Sequence, residues 1–161
     1  MRACVLVISL VLLFLNGFSQ QQLPAVTVEN PGGDRYAIKE VMNDSVPVVL
    51  AFWATTCKPC IQELDALSEV FEDWREKLDF KVVAVSTDDS RAALRARSMA
   101  EGREWPFELL LDKNQELKRA MNVNSIPFLF ILDKTGKVVY SHCGYTPGAE
   151  AEVLNVLEKL K

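Results

Sequence analysis

Cys57 and Cys60 stand two residues apart in the stretch FWATTCKPCIQE, residues 52–63, at the point where an apolar run meets a helical pattern. Such a pair can close a staple, hold a metal or exchange electrons. As a staple it is weak: chain entropy yields roughly 2 kcal/mol for a four-residue loop, against about 3 kcal/mol for fifteen residues. As a reagent it is well placed. Unpaired N–H groups and the positive end of the dipole at a helix start favour a thiolate, and Lys58 puts a positive charge beside Cys57. Pro59 suits the first turn, where its missing N–H costs nothing. Cys60, three residues on, shares a helix face with Cys57 and can reach its sulfur. Cys57 is therefore expected to attack a substrate disulfide, and Cys60 to resolve the mixed disulfide. Shielded in the first turn, Cys60 needs a proton acceptor. Glu63, three residues further, is the nearest carboxylate in sequence and the candidate general base; the competing reading is a solvated helix glutamate.

These residues need elements to hold them. Residues 47–53 (PVVLAFW) are β-branched and apolar on both faces, which predicts a central buried strand. Ile61, Leu64, Leu67, Phe71, Trp74 and Leu78 recur at three- and four-residue steps and predict a helix over 59–78. Residues 80–86 read as a second buried strand, and 87–90 (TDDS) as N-cap residues for a helix over about 91–101. A strand or extended segment at 105–111, a helix over about 113–121, a strand at 128–132, a turn at 133–136 (DKTG), a partner strand at 137–142 and a helix from Thr146-Pro147-Gly148 through Leu160 complete the pattern. Upstream, 23–28 alternates as a short strand, 30–34 (NPGGD) is a turn, and 35–42 holds a brief strand or helical turn. Strand–helix–strand units followed by a hairpin and a helix predict an α/β fold with a mixed sheet, its early strands parallel and its last pair antiparallel.

The chain of 161 residues, 49% hydrophobic and 25% charged, suits one domain with a proper core. A net charge of −4 argues against a nucleic-acid partner, which needs a basic face. Arg2, the apolar run at 5–15 and small residues at 17 and 19 predict an export signal over 1–19, cleaved after Ser19. The run falls short of the ~20 residues that span a bilayer, so a membrane partner is expected only if the signal is kept as an anchor. Cleavage removes Cys4 and leaves Cys57, Cys60 and Cys143, an odd set for an oxidising compartment. Cys143 is expected to be a small buried hydrophobe rather than a partner in a mixed disulfide, and Arg91, Arg95 and Arg97 a solvated face rather than a contact for an acidic partner.

FWATTCKPC resembles the active-site motif of the thioredoxin superfamily, and CKPCIQE behind an export signal resembles the TlpA/ResA-like exported thiol–disulfide oxidoreductases. The resemblance covers essentially all of 20–161: the strand before the motif, an inserted segment at about 87–110, Ile126-Pro127 before a strand, and the hairpin DKTGKVVYSHCGY. It implies one domain of thioredoxin-like fold, a mixed sheet flanked by helices, with an N-terminal extension at about 20–45. It implies no cofactor beyond a redox-active Cys57–Cys60 disulfide. Its expected substrates are thiols and disulfides of exported proteins in a bacterial periplasm. The direction it favours is reduction, in cytochrome c maturation or disulfide repair, with a separate upstream partner restoring the dithiol. It implies a cis Pro127 beside the dithiol, with the backbone of Ile126 pairing with the substrate chain. Gly144 and Cys143, by their place in the hairpin, then line the substrate groove with Lys58 and Pro59. Thioredoxins carry a buried Asp where this chain has Ala51, which strengthens the case for Glu63, a match to a glutamate typical of ResA-like proteins. Thr56 replaces a tryptophan often found before the first cysteine, and Trp53 matches the inner tryptophan.

Two other readings use the same residues. Cys57, Cys60, His142 and Cys143 make a two-plus-two ligand set for zinc or copper, hence a metal-binding module or metallochaperone; adjacent strand residues, however, point His142 and Cys143 to opposite faces. A peroxiredoxin-like peroxidase would share the fold, but its Thr-x-x-Cys context is lost at Ala54.

Overall fold

The computed structural model describes residues 21–161; the expected export signal at 1–19 lies outside the described residues. The apolar run after Pro47 forms β3 (Val48–Trp53), buried at every position. A strand apolar on both faces has to lie between two layers, and β3 does. It pairs in parallel with β4 (Lys81–Ser86) and antiparallel with β6 (Phe128–Leu132). Outward from β4 come β5 (Glu108–Leu111), then β1 (Thr27–Glu29) and β2 (Arg35–Ala37); outward from β6 comes β7 (Val138–Cys143). The seven strands run in the order β2-β1-β5-β4-β3-β6-β7. The β3–β4 and β4–β5 pairs are parallel, and the β6–β7 pair is antiparallel, the mixed sheet expected.

Alternation along β3 divides the core. Val49, Ala51 and Trp53 face one layer, made by α1 (Lys58–Arg75), α2 (Ala93–Gly102) and α4 (Glu150–Glu158). Val48, Leu50 and Phe52 face the other, where a 3₁₀ turn at Ile38–Met42 and α3 (Glu116–Ala120) pack. The segment between α2 and β5 is fastened to α1: Trp105 donates from Nε1 to Asp65 Oδ1 at 2.9 Å and meets Trp53 edge-on, ring centroids 5.0 Å apart. Among the described residues no helix is long and apolar enough to cross a membrane.

The final helix, expected from 146–148 through 160, spans Glu150–Glu158, and two other helix starts differ from expectation for a side-chain reason. The helix expected from 91 begins at Ala93. Thr87 and Asp88 do not cap it, because Thr87 bonds Trp53 O and Asp88 takes Thr55; Asp89 alone accepts from the Arg91 and Ala92 N–H groups. The helix expected from 113 begins at Glu116. Buried Asp112 accepts from the backbone N–H groups of Leu117 and Lys118, so residues 113–115 form a turn ahead of it. Toward the N-terminus, the strand expected at 23–28 shortens to Thr27–Glu29, and 35–42 holds both of its proposed elements, β2 and the 3₁₀ turn.

Leu50, paired with Val83 and Phe130 and with no exposed surface, tests the central strand. Leu50→Ala should destabilise the oxidised protein by about 2–5 kcal/mol, read as a lower urea midpoint with an unchanged slope.

Candidate active site

β3 ends at Trp53, and four residues later α1 begins with Cys57 as its N-cap. Cys57 and Cys60 are joined by a disulfide, Cα atoms 5.3 Å apart. Cys57 Sγ accepts from the Cys60 backbone N–H at 3.3 Å, so one of the unpaired donors of the helix start is aimed at the sulfur expected from the sequence to carry negative charge. Lys58 and Pro59 are exposed, Cys57 is half-buried, and Cys60 has no exposed surface. The dithiol is therefore asymmetric: an incoming sulfur can meet Cys57 but not Cys60. Behind it pack Ala51, Trp53, Leu64 and Ala84, an apolar lining at the position where thioredoxins carry their acid.

Glu63 is buried at 3% exposure, which removes the reading as a solvated helix glutamate. Its Oε1 lies 2.7 Å from Nε2 of His142, the chain's single histidine. His142 Nδ1 is in turn 3.2 Å from the Tyr140 hydroxyl. Sequence reasoning misses this partnership, because 79 residues separate Glu63 from His142. The signal available is the period of β7, which places Tyr140 and His142 on one face and Ser141 and Cys143 on the other.

The Ile126–Pro127 peptide is cis. Pro127 is buried and opens β6, while half-buried Ile126, like Cys57, packs against the cluster that contains Cys60. Gly144, at φ 84°, adopts a conformation that disfavours side chains and donates its N–H to Pro127 O at 2.9 Å. The hairpin thus ties itself to the proline that follows Ile126.

Cys143 corrects the expectation made for it. It is exposed rather than a buried hydrophobe, its sulfur 3.0 Å from Ser125 Oγ. The reason is its place on β7, an edge strand whose outer face carries the odd-numbered residues 139, 141 and 143. Paired with Phe128, it sits beside the first residue after Pro127, whereas His142 is paired with Leu129 and turned toward α1. The two residues point apart, so the four-ligand set considered from sequence is not brought together; no His/Cys/Asp/Glu group of metal-holding geometry occurs among the described residues.

A second polar network braces the other side of the motif. Buried Asp88 accepts from Thr55 N at 2.9 Å, from Thr55 Oγ1 at 2.8 Å and from Ser86 Oγ at 2.9 Å. Arg95 reaches Thr55 Oγ1 with Nε at 2.9 Å. A buried carboxylate requires such partners, and here they immobilise the loop two residues before Cys57. Arg95 is exposed, as the solvated-face reading expects, and also joins this brace through Thr55, whereas Arg91 and Arg97 pair locally with Asp89 and Glu101.

A thioredoxin-like sheet with a CxxC disulfide on the first turn of the helix after its central strand defines the class, a thiol–disulfide oxidoreductase. Comparison with known proteins agrees and names the family: residues 19–141 match the AhpC/TSA family, and the chain belongs to it. It is 32% identical over 133 residues to the thioredoxin-like protein YneN of Bacillus subtilis, covering 82% of this chain and 75% of that one. To the thiol–disulfide oxidoreductase ResA of Bacillus thuringiensis it is 29% identical over 119 residues, covering 74% of this chain and 66% of that one, just under two thirds of ResA's length. The solution structure of an uncharacterised thioredoxin-like protein from Porphyromonas gingivalis superposes with a TM-score of 0.77 at 43% identity, covering 86% of this chain and 90% of that one.

Asp88→Ala strands the Thr55 and Ser86 donors and should cost about 1–3 kcal/mol of stability in denaturant unfolding. In the native oxidised protein, Cys143 should be alkylated rapidly; after reduction, peptide mapping should find Cys57 labelled well before Cys60.

Proposed function

We infer that this protein reduces disulfides of exported proteins, with Cys57 attacking, Cys60 resolving and Glu63 removing the Cys60 proton. The observation that carries the reading is the asymmetry of the dithiol: a reachable Cys57, a sealed Cys60, and a buried carboxylate one helical turn beyond the sealed sulfur. Neighbours three apart on a helix lie side by side, so Glu63 is the carboxylate that a Cys60 thiol has at hand. The cis Ile126–Pro127 peptide and the Gly144 N–H bond to Pro127 O leave Ile126 as the backbone against which a substrate chain docks, with Lys58 and Pro59 exposed at the rim and Cys143 beside it. A site outside the cytoplasm is supported by the signal pattern over 1–19. Reduction, in cytochrome c maturation or disulfide repair, is supported by the likeness to ResA, and it calls for an upstream thiol donor that restores the dithiol.

Cys60→Ala, expressed in the native compartment, should accumulate substrate proteins as mixed disulfides on Cys57, and Cys57→Ser should accumulate none. Equilibration against thiol buffers should place the Cys57–Cys60 couple on the reducing side of that compartment; a couple more oxidising than its surroundings reverses the assigned direction. Glu63→Gln should slow decay of the mixed disulfide by roughly 10²-fold and leave its formation unchanged; an unaltered decay rate removes Glu63 from the mechanism.

A further inference from the structure

Resting on the reading of Glu63 as base for Cys60, we propose that His142 is a positioning and proton-relay residue, through which a proton leaves when Glu63 receives one from Cys60. Three observations carry it. The Glu63 carboxylate is nearly sealed, its side chain 4% exposed, and among the described residues its one hydrogen-bond partner is His142 Nε2 at 2.7 Å. Beside the pair runs a seam lined by Leu67, Leu129, Tyr145, Ala149, Glu150 and Val153, too narrow to admit water. His142 is 17% exposed and Tyr140 half-buried, so the path Glu63–His142–Tyr140 runs from core to edge strand and is the built way out.

The hydrogen bonds accommodate both protonation states without moving a heavy atom. As an imidazolium, His142 donates from Nε2 to Glu63 Oε1 and from Nδ1 to Tyr140 Oη. As a neutral ring it keeps the Nε2 bond and accepts at Nδ1 from the Tyr140 hydroxyl. In the resolving step the Cys60 thiol gives its proton to Glu63. The Cys60 sulfur forms a bond to Cys57 Sγ, the bond from Cys57 to the substrate sulfur breaks, and that sulfur leaves with the electron pair and takes a proton from solvent. As Glu63 becomes neutral, His142 gives up its Nδ1 proton through Tyr140 and becomes neutral with it. The Glu63–His142 pair thus carries no net charge before or after, which avoids the cost of an uncompensated charge in the core. When the disulfide is reduced again, Cys60 departs as a thiolate, takes the proton back from Glu63, and His142 regains one from outside. His142 is faced by Glu63 from α1, Tyr140 from its own strand, Tyr145 from the following loop, and Glu150 and Glu152 from α4, the last beside the Tyr140 hydroxyl; its β6 neighbour is the apolar Leu129. Burial, and after it Glu152, holds the Tyr140 hydroxyl above the ordinary phenol value, so Tyr140 passes protons by exchange and does not rest as a phenolate.

The full chain, reduced and mixed with 5,5′-dithiobis(2-nitrobenzoate), tests this by rapid-quench peptide mapping, which locates each adduct and separates the formation of the Cys57 mixed disulfide from its decay. In His142→Gln, formation should keep its wild-type rate. Decay should slow by roughly tenfold, less than the ~10²-fold expected for a direct proton carrier, and its rate–pH profile should lose one inflection. Tyr140→Phe, which preserves the ring packing, should slow decay in the same sense and keeps the test open if the His142 variant does not fold. Decay at the wild-type rate with the wild-type pH profile in His142→Gln, or in Tyr140→Phe where the first is unfolded, overturns the relay. Formation and decay slowed together also overturn it, in favour of a merely structural pair. Slowed decay in Glu63→Gln beside normal decay in the His142 variant removes the relay alone, whereas normal decay in Glu63→Gln removes the base on which it rests.

Discussion

A thiol without exposed surface cannot attack until its proton has left, and a proton crossing an apolar core carries a charge with it. Cys60 is in that position, closed in by Ala51, Trp53, Leu64 and Ala84. In the reaction proposed above, burial protects the resolving sulfur from stray partners and leaves Cys57 to choose the substrate, but it makes a built proton route a condition of turnover. The arrangement around α1 follows from this. Glu63 is drawn into the core one turn below Cys60, a histidine is supplied from another strand to hold it, and α4 with its preceding loop closes the space beside both.

The sheet makes that supply possible. Ala51 on β3 is paired with Leu129 on β6, and Leu129 with His142 on β7, so the three stand in one row on one face. Strands lie about 4.8 Å apart, so moving the polar group from the Ala51 position to His142 carries it two strands outward, from the centre of the sheet to its edge. At the centre, an acid would be boxed in by α1 and the neighbouring strands. At the edge, the histidine ring reaches the hydroxyl of Tyr140 and solvent beyond. Parallel pairing on the other side of β3 brings the end of β4 alongside Trp53, so Asp88 can hold Thr55 and fix the approach to Cys57.

What is legible in the chain is what repeats at short range. The central strand, the long helix, the hairpin and the reactive pair all announce themselves within a dozen residues, because apolar periodicity and turn chemistry are local. Glu63 is visible as a candidate for the same reason, being one turn from Cys60. His142 is not visible as its partner, since a contact 79 residues away depends on strand order and register, and two antiparallel pairings must both be known to place it. Cys143 escapes a sequence reading because a lone cysteine in a hydrophobic-looking hairpin says nothing of whether its strand is central or at the edge. Residue type alone makes Thr87 and Asp88 helix caps; the parallel register at the end of β4 gives Thr87 an acceptor on β3 and Asp88 donors from the loop that follows β3 instead.

The two polar networks beside the dithiol differ in a way that fits different work. Asp88 is surrounded by three donors from Thr55 and Ser86, with Arg95 behind them. Such a carboxylate holds a loop through all three of these bonds; it is a brace. Among the described residues the Glu63 carboxylate makes a single hydrogen bond, to a ring that can donate from either nitrogen or accept at one. That pair can gain a proton at one end and lose one at the other with its heavy atoms unmoved. In the proposed reaction, a rigid cradle beside Thr55 and an adaptable pair on the core side divide the labour, so that Cys57 keeps its geometry while Cys60 changes its protonation.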